Sequence, residues 1–253
     1  MRIAVAGLGL VGGSLARGLT RAGHRVMGVD ALAVRARALR AGAVAVTAPR
    51  IEAAAKDCDV LVLAAPPEAN LRLLRRVARV ARPGLVVTDV GSVKAPICRE
   101  AARLGLGSFV GGHPMAGSEG AGFSASSADL FRGRAWILTP VERSGRALRV
   151  VSRLVRALGA RPVILPPGEH DRLVAFVSHA PQLVAWALAE ASGRDAVAAR
   201  HLGLAGPGFR DMTRLAGSPR GLWREILGQN RTEVARALAA FRRALRREEG
   251  ARP

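Results

Sequence analysis

A histidine with few bulky neighbours is the first candidate for chemistry in this sequence. His113 follows two glycines and precedes a proline within residues 111–120, where most side chains are small. A histidine in such surroundings is poorly placed to fill a hydrophobic core. Because the pKa of a free imidazole is about 6.5, its side chain can accept a proton near neutral pH. His113 is therefore a candidate general base.

Further polar side chains occur in three other clusters. Ser92 lies in the segment DVGSVK at 89–94, just after a predicted strand, and open α/β sheets bind ligands at the carboxyl ends of their strands. A second cluster lies in a predicted helix and contains His170, Asp171, Ser178, His179 and Gln182. A third, at 206–214, contains Arg214 and is followed by Trp223.

Some of these residues also have a purely structural interpretation. Arg214 could pair with Asp211 one helical turn back. Asp171 could be an acid in the first turn of a helix, and Trp223 could belong to a core.

A glycine-rich turn near the N-terminus has the context of a dinucleotide-binding site. The predicted strand Arg2–Ala6 precedes GLGLVG at 7–12, and a helix opened by Gly13-Ser14 follows to about Ala22. A second predicted strand, Arg25–Val29, ends at Asp30, 18 residues after the last glycine of the motif. This order and spacing match the dinucleotide-binding fingerprint. A glycine-rich turn without a ligand is the alternative.

Each residue of this motif has a physical task. Gly7 permits a tight turn, Gly9 lets the backbone approach a pyrophosphate, and Gly12 lets the helix pack on the strand. The helix N-terminus then offers N–H groups to the phosphates. Asp30 is expected to accept hydrogen bonds from ribose hydroxyls and to repel a 2′-phosphate, which favours NAD over NADP. Against this, two arginines just downstream could serve a 2′-phosphate: Arg35 and Arg37.

The other elements predict an α/β domain followed by helices. Further strands are expected at 60–64, 85–88 and 109–111, and helices at about 67–81 and 95–103. Strands that alternate with helices predict a Rossmann-type, doubly wound and mainly parallel sheet in a domain at 1–166. The last strand signal ends at 165. An all-α dimerisation domain is predicted at 167–253, with helical patterns over 169–191 and 225–247 and a homodimer interface.

The composition excludes several classes of function. The chain has 253 residues, 39 of them basic and 19 acidic, and a net charge of +20. Only Lys56 and Lys94 are lysines, the arginines are scattered, and aromatic residues are 4%, which argues against nucleic-acid binding. Interrupted apolar runs predict no membrane segment. Two cysteines, Cys58 and Cys98, are too few for a disulfide framework or a metal site and predict the reducing cytoplasm.

Five segments together resemble the prephenate/arogenate dehydrogenase family of tyrosine biosynthesis over nearly the whole chain. They are GLGLVGGSLA at 7–16, DVGSVK at 89–94, GGHPMAGSEGAG at 111–122, HDRLVAFVSHAPQ at 170–182 and GFRDMTRLAGSPRGLW at 208–223. The resemblance implies NAD-dependent oxidative decarboxylation of prephenate to 4-hydroxyphenylpyruvate. Its amino analogue arogenate, alone or alongside prephenate, is the alternative substrate.

The same resemblance implies a role for each candidate residue. His113 accepts the proton of the substrate hydroxyl, and Ser92 orients that hydroxyl and contacts the nicotinamide. Arg214 binds a substrate carboxylate, for which a planar guanidinium is suited. The residues placed at the substrate are Arg214, His179, Glu119, Gln182, Asp171 and Trp223. Those placed at the cofactor are Gly7, Gly9, Leu10, Val11, Gly12, Asp30, Ala65, Pro66 and Ser92.

Two departures from the family pattern leave the substrate open. Pro207 replaces a glycine, and Gln182 stands where many members have a second histidine. Glu119 is available to an ammonium group but does not decide between the substrates. The chain ends about where the helical domain does, so we expect no C-terminal regulatory domain.

Two rival functions remain from the residues alone. A hydroxyacid dehydrogenase of the same superfamily would need a lysine in the helical domain, and no lysine follows Lys94. A non-catalytic NAD-binding regulator would not need His113, Ser92 and Arg214 together.

Overall fold

One mainly parallel sheet organises the first two thirds of the chain. The computed structural model describes residues 1–117, 120–142 and 144–250, and in these residues eight strands pair in the order β3-β2-β1-β4-β5-β6-β7-β8. The strands are β1 Arg2–Ala6, β2 Arg25–Val29, β3 Val46–Ala48, β4 Val60–Leu63, β5 Val86–Asp89, β6 Phe109–Pro114, β7 Ala135–Pro140 and β8 Arg161–Ile164. All neighbours are parallel except β6 and β7. The predicted Rossmann-type class is confirmed.

Helices cover both faces of this sheet. They are α1 Leu10–Arg21, α2 Leu32–Arg40, α3 Ile51–Asp57, α4 Pro67–Ala78, α5 Ala95–Arg103 and α6 Gly145–Ala157. Because side chains alternate along a strand, Ile3 and Val5 of β1 pack in one core cluster, with residues of α1, α2 and α6. Ala4 and Ala6 pack in the other, with residues of α3, α4 and α5. Both faces are apolar, as in a doubly wound sheet.

The predicted elements agree with the structure except at a few ends. The strands Arg2–Ala6 and Arg25–Val29 and the helix 95–103 have the expected bounds. Helix α1 begins at Leu10, three residues before the expected Gly13, because the turn after β1 closes within the glycine motif itself. Strand β5 ends at Asp89 rather than at 88, and β6 continues to Pro114 because it pairs with β7.

The chain divides into two compact units, Met1–His170 and Asp171–Pro253. The second is helical where it is described. Helix α7 (Pro167–Val174), a π-helical turn (Ala175–His179) and α8 (Ala180–Arg194) are followed by α9 Ala196–His201, α10 Pro207–Thr213, α11 Arg220–Gln229 and α12 Arg231–Gly250. Its small core contains Ala175, Ala180, Val234 and Ala237, with Leu183, Leu227 and Leu238 packed against them.

The predicted helical pattern over 225–247 is divided between two helices. Helix α11 ends at Gln229 and α12 begins at Arg231, so the helical pattern predicted over 225–247 is interrupted at Asn230. Asn230 is the residue between them, and its side-chain amide donates to the backbone oxygen of Asp171 at 2.8 Å. This hydrogen bond ties the break in the helix to another part of the same unit.

The prediction that the chain has no membrane segment cannot rest on the length of its apolar stretches. The helical run Pro167–Arg194 has 28 residues and a stretch with mean hydropathy 1.2, enough to cross a membrane by length and composition alone. A single helix of this kind is weak evidence, because the core helices of soluble proteins pass the same test. Its buried polar side chains His179 and Gln182 also fit a packed helix. The absence of membrane contact therefore remains a prediction.

Candidate active site

The glycine turn after β1 accepts only glycine at two of its positions. Gly7 has φ +99°, and a Cβ there would lie 2.5 Å from the carbonyl oxygen of Ala64. A Cβ on Gly12 would lie 1.9 Å from the carbonyl oxygen of Gly7. At Gly9, by contrast, a Cβ would meet no atom within 4 Å. Gly7 and Gly12 are thus required by packing, whereas the open space beside Gly9 is where a ligand can approach.

Asp30 closes this turn from the end of β2. Its carboxylate accepts the N–H groups of Leu8 and Ala31, each at 2.6 Å. A carboxylate has further lone pairs, so these bonds leave acceptor capacity for a ligand hydroxyl. The next residues after Gly9, Leu10 and Val11, are half-buried in the first turn of α1.

A cleft of about 460 Å³ opens at the carboxyl ends of β1, β2 and β4. Strand order reverses between β1 and β4, the place where doubly wound sheets bind nucleotides. The lining of the cleft includes five of the predicted cofactor residues: Gly7, Gly9, Asp30, Ala65 and Pro66.

The cleft also contains a basic edge that sequence reasoning missed. Its lining includes Arg50 and Arg76, and Glu52 holds Arg76 by bonds of 2.6 and 2.9 Å. Arg35 and Arg37, the arginines considered for a 2′-phosphate, are absent from the lining formed by the described residues. Arg50 lies before a helix that the sequence did not predict, so no local pattern pointed to it.

A buried ion pair binds the backbone next to His113. Asp89 ends β5, and its carboxylate pairs with the Lys94 ammonium; both side chains are buried. The same carboxylate accepts the N–H of Gly91 at 2.8 Å and that of Gly112 at 3.0 Å. Lys94 donates to the carbonyl oxygen of Gly112 at 2.8 Å. Ser92 lies half-buried in the loop that this pair closes.

Gly112 is held on both sides because the backbones of β5 and β6 approach closely there. A Cβ on Gly112 would lie 2.5 Å from the carbonyl oxygen of Asp89. The next residue, His113, pairs with Ile137 of the antiparallel strand β7. The predicted general base therefore lies on a strand whose position is set by a buried ion pair and by a neighbouring strand on each side.

His113 has a second histidine as its partner. Its Nδ1 lies 2.8 Å from Nε2 of His170, and the two rings meet edge to face with centroids 5.1 Å apart. His170 is buried and His113 is half-buried. No role for His170 is predictable from the sequence, because 57 residues separate the two histidines and nothing local connects them.

A second group of predicted residues surrounds His179 in the helical unit. Asn230 donates to Nδ1 of His179 at 3.1 Å as well as to the backbone oxygen of Asp171. Because Nδ1 accepts, the neutral ring carries its proton on Nε2, which is a donor. The ring of Trp223 meets His179 edge to face, with centroids 5.9 Å apart. The structure thus brings His179, Trp223 and Asp171 into one cluster.

Gln182 and Trp186 of α8 bind the turn that begins at Arg214. Gln182 donates through Nε2 to the carbonyl oxygen of Leu215 at 2.6 Å, while Trp186 donates to that of Ala216 at 3.1 Å. Arg214 begins the turn that carries both carbonyls and is itself exposed. Buried Oε1 of Gln182 has no hydrogen-bond partner among the described residues. Glu119, the remaining predicted substrate residue, lies outside the described residues.

Comparison with known proteins decides the family. A model of the prephenate dehydrogenase nucleotide-binding domain matches residues 15–164, and one of the prephenate dehydrogenase dimerization domain matches 166–249. The chain belongs to the prephenate dehydrogenase family. This confirms the resemblance inferred from the five sequence segments.

Some similar proteins are named for prephenate as their substrate and others for arogenate. Prephenate dehydrogenase of Bacillus subtilis is 33% identical over 92% of this chain, which spans 65% of that relative's length. A crystal structure of Synechocystis arogenate dehydrogenase is 30% identical, with TM-score 0.86 over 98% of this chain and 90% of that one. A crystal structure of prephenate dehydrogenase from A. aeolicus, in complex with hydroxyphenyl propionate and NAD+, is 27% identical. Its TM-score is 0.86, and the match covers 98% of this chain and 88% of that one.

Proposed function

We propose that this chain catalyses the NAD-dependent oxidative decarboxylation of prephenate to 4-hydroxyphenylpyruvate, a step of tyrosine biosynthesis. The observation that carries the proposal is His113, held on β6 by the Asp89–Lys94 pair on the same sheet as a nucleotide-sized cleft. The family and the NAD+ complex of the A. aeolicus relative support it.

The residues of the cleft fit NAD. The glycine turn leaves open space beside Gly9, and α1 presents its N-terminus just beyond it. Asp30 retains acceptor capacity for ribose hydroxyls, and its negative charge disfavours a 2′-phosphate. We assign Leu10, Val11, Ala65 and Pro66 to the rest of the cofactor contact. When bound, NAD accepts a hydride from the ring carbon that bears the substrate hydroxyl.

His113 handles the proton of this reaction. As the hydride leaves, Nε2 of His113 takes the hydroxyl proton, and Ser92 orients the same hydroxyl by a hydrogen bond. The bond between the ring and its carboxylate then breaks, carbon dioxide leaves, and the electron pair enters the ring and reaches the oxygen. The protonated His113 returns its proton to this oxygen, so the phenol forms without net proton release. A positioned base of this kind contributes roughly 10²–10⁴ in rate.

The side-chain end of the substrate is assigned to the helical unit. Arg214 binds a carboxylate through its guanidinium, and His179 donates through Nε2. Trp223 contributes an apolar ring, and Asp171 and Glu119 complete the assigned set. Arogenate is the second candidate substrate, alone or alongside prephenate. Buried Oε1 of Gln182 favours it, because a carbonyl oxygen accepts from an ammonium group.

We further propose a homodimer in the cytoplasm, with a nucleotide-binding domain at 1–166 and a dimerisation domain at 167–253. The family model matched at 166–249 is that of a dimerization domain, which supports this. Exposed apolar side chains of this region supply a surface to bury: Leu173, Phe176, Val177, Leu222, Phe241 and Leu245. Neither Cys58 nor Cys98 forms a disulfide, which fits a reducing compartment.

A turnover assay tests the activity. Purified protein receives NAD or NADP with prephenate or arogenate, and reduced cofactor and carbon dioxide are measured. We expect turnover with NAD and a drop of about 10²–10⁴ in kcat for His113→Asn at unchanged NAD affinity. His201→Asn, at an exposed histidine, is the matched control. No turnover with either substrate would leave the NAD-binding regulator as the surviving alternative, and full activity of His113→Asn would remove this residue from the mechanism.

A further inference from the structure

The contact between His113 and His170 gives the second histidine a task that the proposed reaction needs. We propose that His170 is a positioning residue, which fixes the tautomer and the ring orientation of His113 by accepting a hydrogen bond from its Nδ1. This inference rests on the proposed function, in which Nε2 of His113 takes the substrate proton. The 2.8 Å separation of Nδ1 and Nε2 carries it.

A hydrogen bond between two imidazole nitrogens requires one proton between them. If His113 is to accept a proton on Nε2, its own ring proton has to lie on Nδ1. That Nδ1–H points at Nε2 of His170, which must then be an unprotonated acceptor. His170 accordingly carries its proton on Nδ1. One contact thus assigns both tautomers and places the lone pair of His113 on Nε2, the nitrogen that takes the substrate proton in the proposed reaction.

The place of His170 in the fold suits an acceptor that stays neutral. His170 is completely buried, and burial in a low-dielectric interior disfavours the charged form of an imidazole. It lies in α7, whereas His113 lies on β6, so helix and strand each hold one ring. The edge-to-face contact, with centroids 5.1 Å apart, limits rotation of the His113 ring.

The bond becomes stronger when it is needed. Once His113 has taken the substrate proton it is an imidazolium, and its Nδ1–H donates as a charged group. Hydrogen bonds from charged donors are roughly twice as strong as neutral ones. His170 therefore stabilises the protonated base more than the free base, which favours proton uptake in the transition state.

Three substitutions separate this task from simple packing. In His170→Gln, the amide oxygen reaches about as far as Nε2 does and accepts the same bond, but does not become protonated near neutral pH. In His170→Asn, the same amide is one carbon shorter and cannot reach His113. His170→Leu fills space without an acceptor. Gln and Asn thus differ in reach and not in chemistry.

Kinetics of the full-length enzyme give the first readout. With NAD saturating, we expect His170→Gln to keep kcat within about threefold. We expect His170→Asn and His170→Leu to lose roughly 10–100-fold, by analogy with the range found when the orienting partner of a metal-bound histidine is removed. KM for the substrate changes little, because His170 is not assigned to substrate binding. Equal kcat for Gln and Asn, whether both high or both low, would overturn the proposal.

Nitrogen-15 spectra of the imidazoles give a readout that does not depend on turnover. The chain has five histidines, and the signals of His113 are identified by their loss in His113→Asn. In substrate-free wild type and in His170→Gln, we expect the proton on Nδ1 of His113. In His170→Asn it moves to Nε2, the common tautomer in water.

A proton on Nε2 of His113 in the wild type would contradict the assignment even if the enzyme is active. Conversely, if the spectra show the expected tautomer but the enzyme has no turnover, the proposed reaction is refuted and the tautomer assignment stands. If His170→Leu does not fold, the comparison of Gln with Asn still decides.

Discussion

Replacing Lys94 with methionine tests how the sheet holds the candidate base. Methionine keeps an unbranched side chain but removes the ammonium, so the carboxylate of Asp89 stays buried without its cation. The hydrogen bond of 2.8 Å to the carbonyl oxygen of Gly112 is lost as well. Because Gly112 precedes His113, this change loosens the strand at the position that matters for the proton transfer.

The magnitude follows from burial. Lys94 is 0% and Asp89 1% exposed, and removing one partner of such a buried pair costs about 3–5 kcal/mol of unfolding free energy. For a chain of this size each kcal/mol lowers Tm by roughly 2–4 °C, so Lys94→Met should lower Tm by about 6–20 °C. A displacement of His113 by about 1 Å would lower kcat by about 10²-fold.

The assay combines thermal unfolding, followed by circular dichroism at pH 7, with turnover. Arg72→Met is the matched control, because Arg72 pairs with Glu68 at 3.8 Å across exposed side chains. We expect the control to change stability by at most about 1 kcal/mol. Adding Asp89→Asn to Lys94→Met should recover part of the lost Tm, because no buried charge then lacks a partner. If Lys94→Met is no less stable than Arg72→Met, the ion pair does not hold the strand.

Three further predictions follow from single contacts. Gly12→Ala places a Cβ 1.9 Å from the oxygen of Gly7, so we expect about 1–3 kcal/mol lower stability and weaker NAD binding, measured by thermal unfolding and cofactor titration; an unchanged Tm would contradict this. Asp30→Ser should relax the preference for NAD, measured as the ratio of kcat/KM for NAD and NADP, and a wild type that prefers NADP would refute the role given to Asp30. Hydrogen bonds from Arg103 and Arg75 lower the pKa of Glu100 from 4.5 to about 2, so its stabilisation is present above pH 4.5 and is lost as the pH falls through 2. Glu100→Gln should therefore lower Tm at pH 7 and less so at pH 3, and an equal loss at both pH values would refute this.

The parts of the fold that were predictable are those whose signals are local. Strand β1 combines a short β-type run with the glycine turn that ends it, and α5 begins near a proline, so both were predicted at their observed bounds. The segment α2–β3–α3 was missed because its strand has three residues and because neither helix has a proline in its first turn, as α4 and α5 do. Strand β7 was missed although four of its six residues are buried, because its pairing with β6 is a long-range contact.

The residues of the candidate site likewise fall into those with a local sequence signal and those without one. His113 and Ser92 stood out because of their neighbours in sequence. The partners that hold them did not, because the contacts join residues far apart in the chain: His170 lies 57 residues from His113, and Asp89 lies 23 from Gly112. Asn230, which orients His179 from 51 residues away, was overlooked for the same reason.

The scarcity of lysine has a practical consequence for amine chemistry. Both lysines lie in the described part of the chain, with Lys56 exposed on α3 and Lys94 completely buried beneath the candidate site. An acylating reagent therefore finds Lys56 and the N-terminal amine in the native protein, while Lys94 becomes accessible only when the sheet opens. The acylation rate of Lys94, read by mass spectrometry, reports how often the sheet opens around His113, and attachment through Lys56 leaves this region untouched.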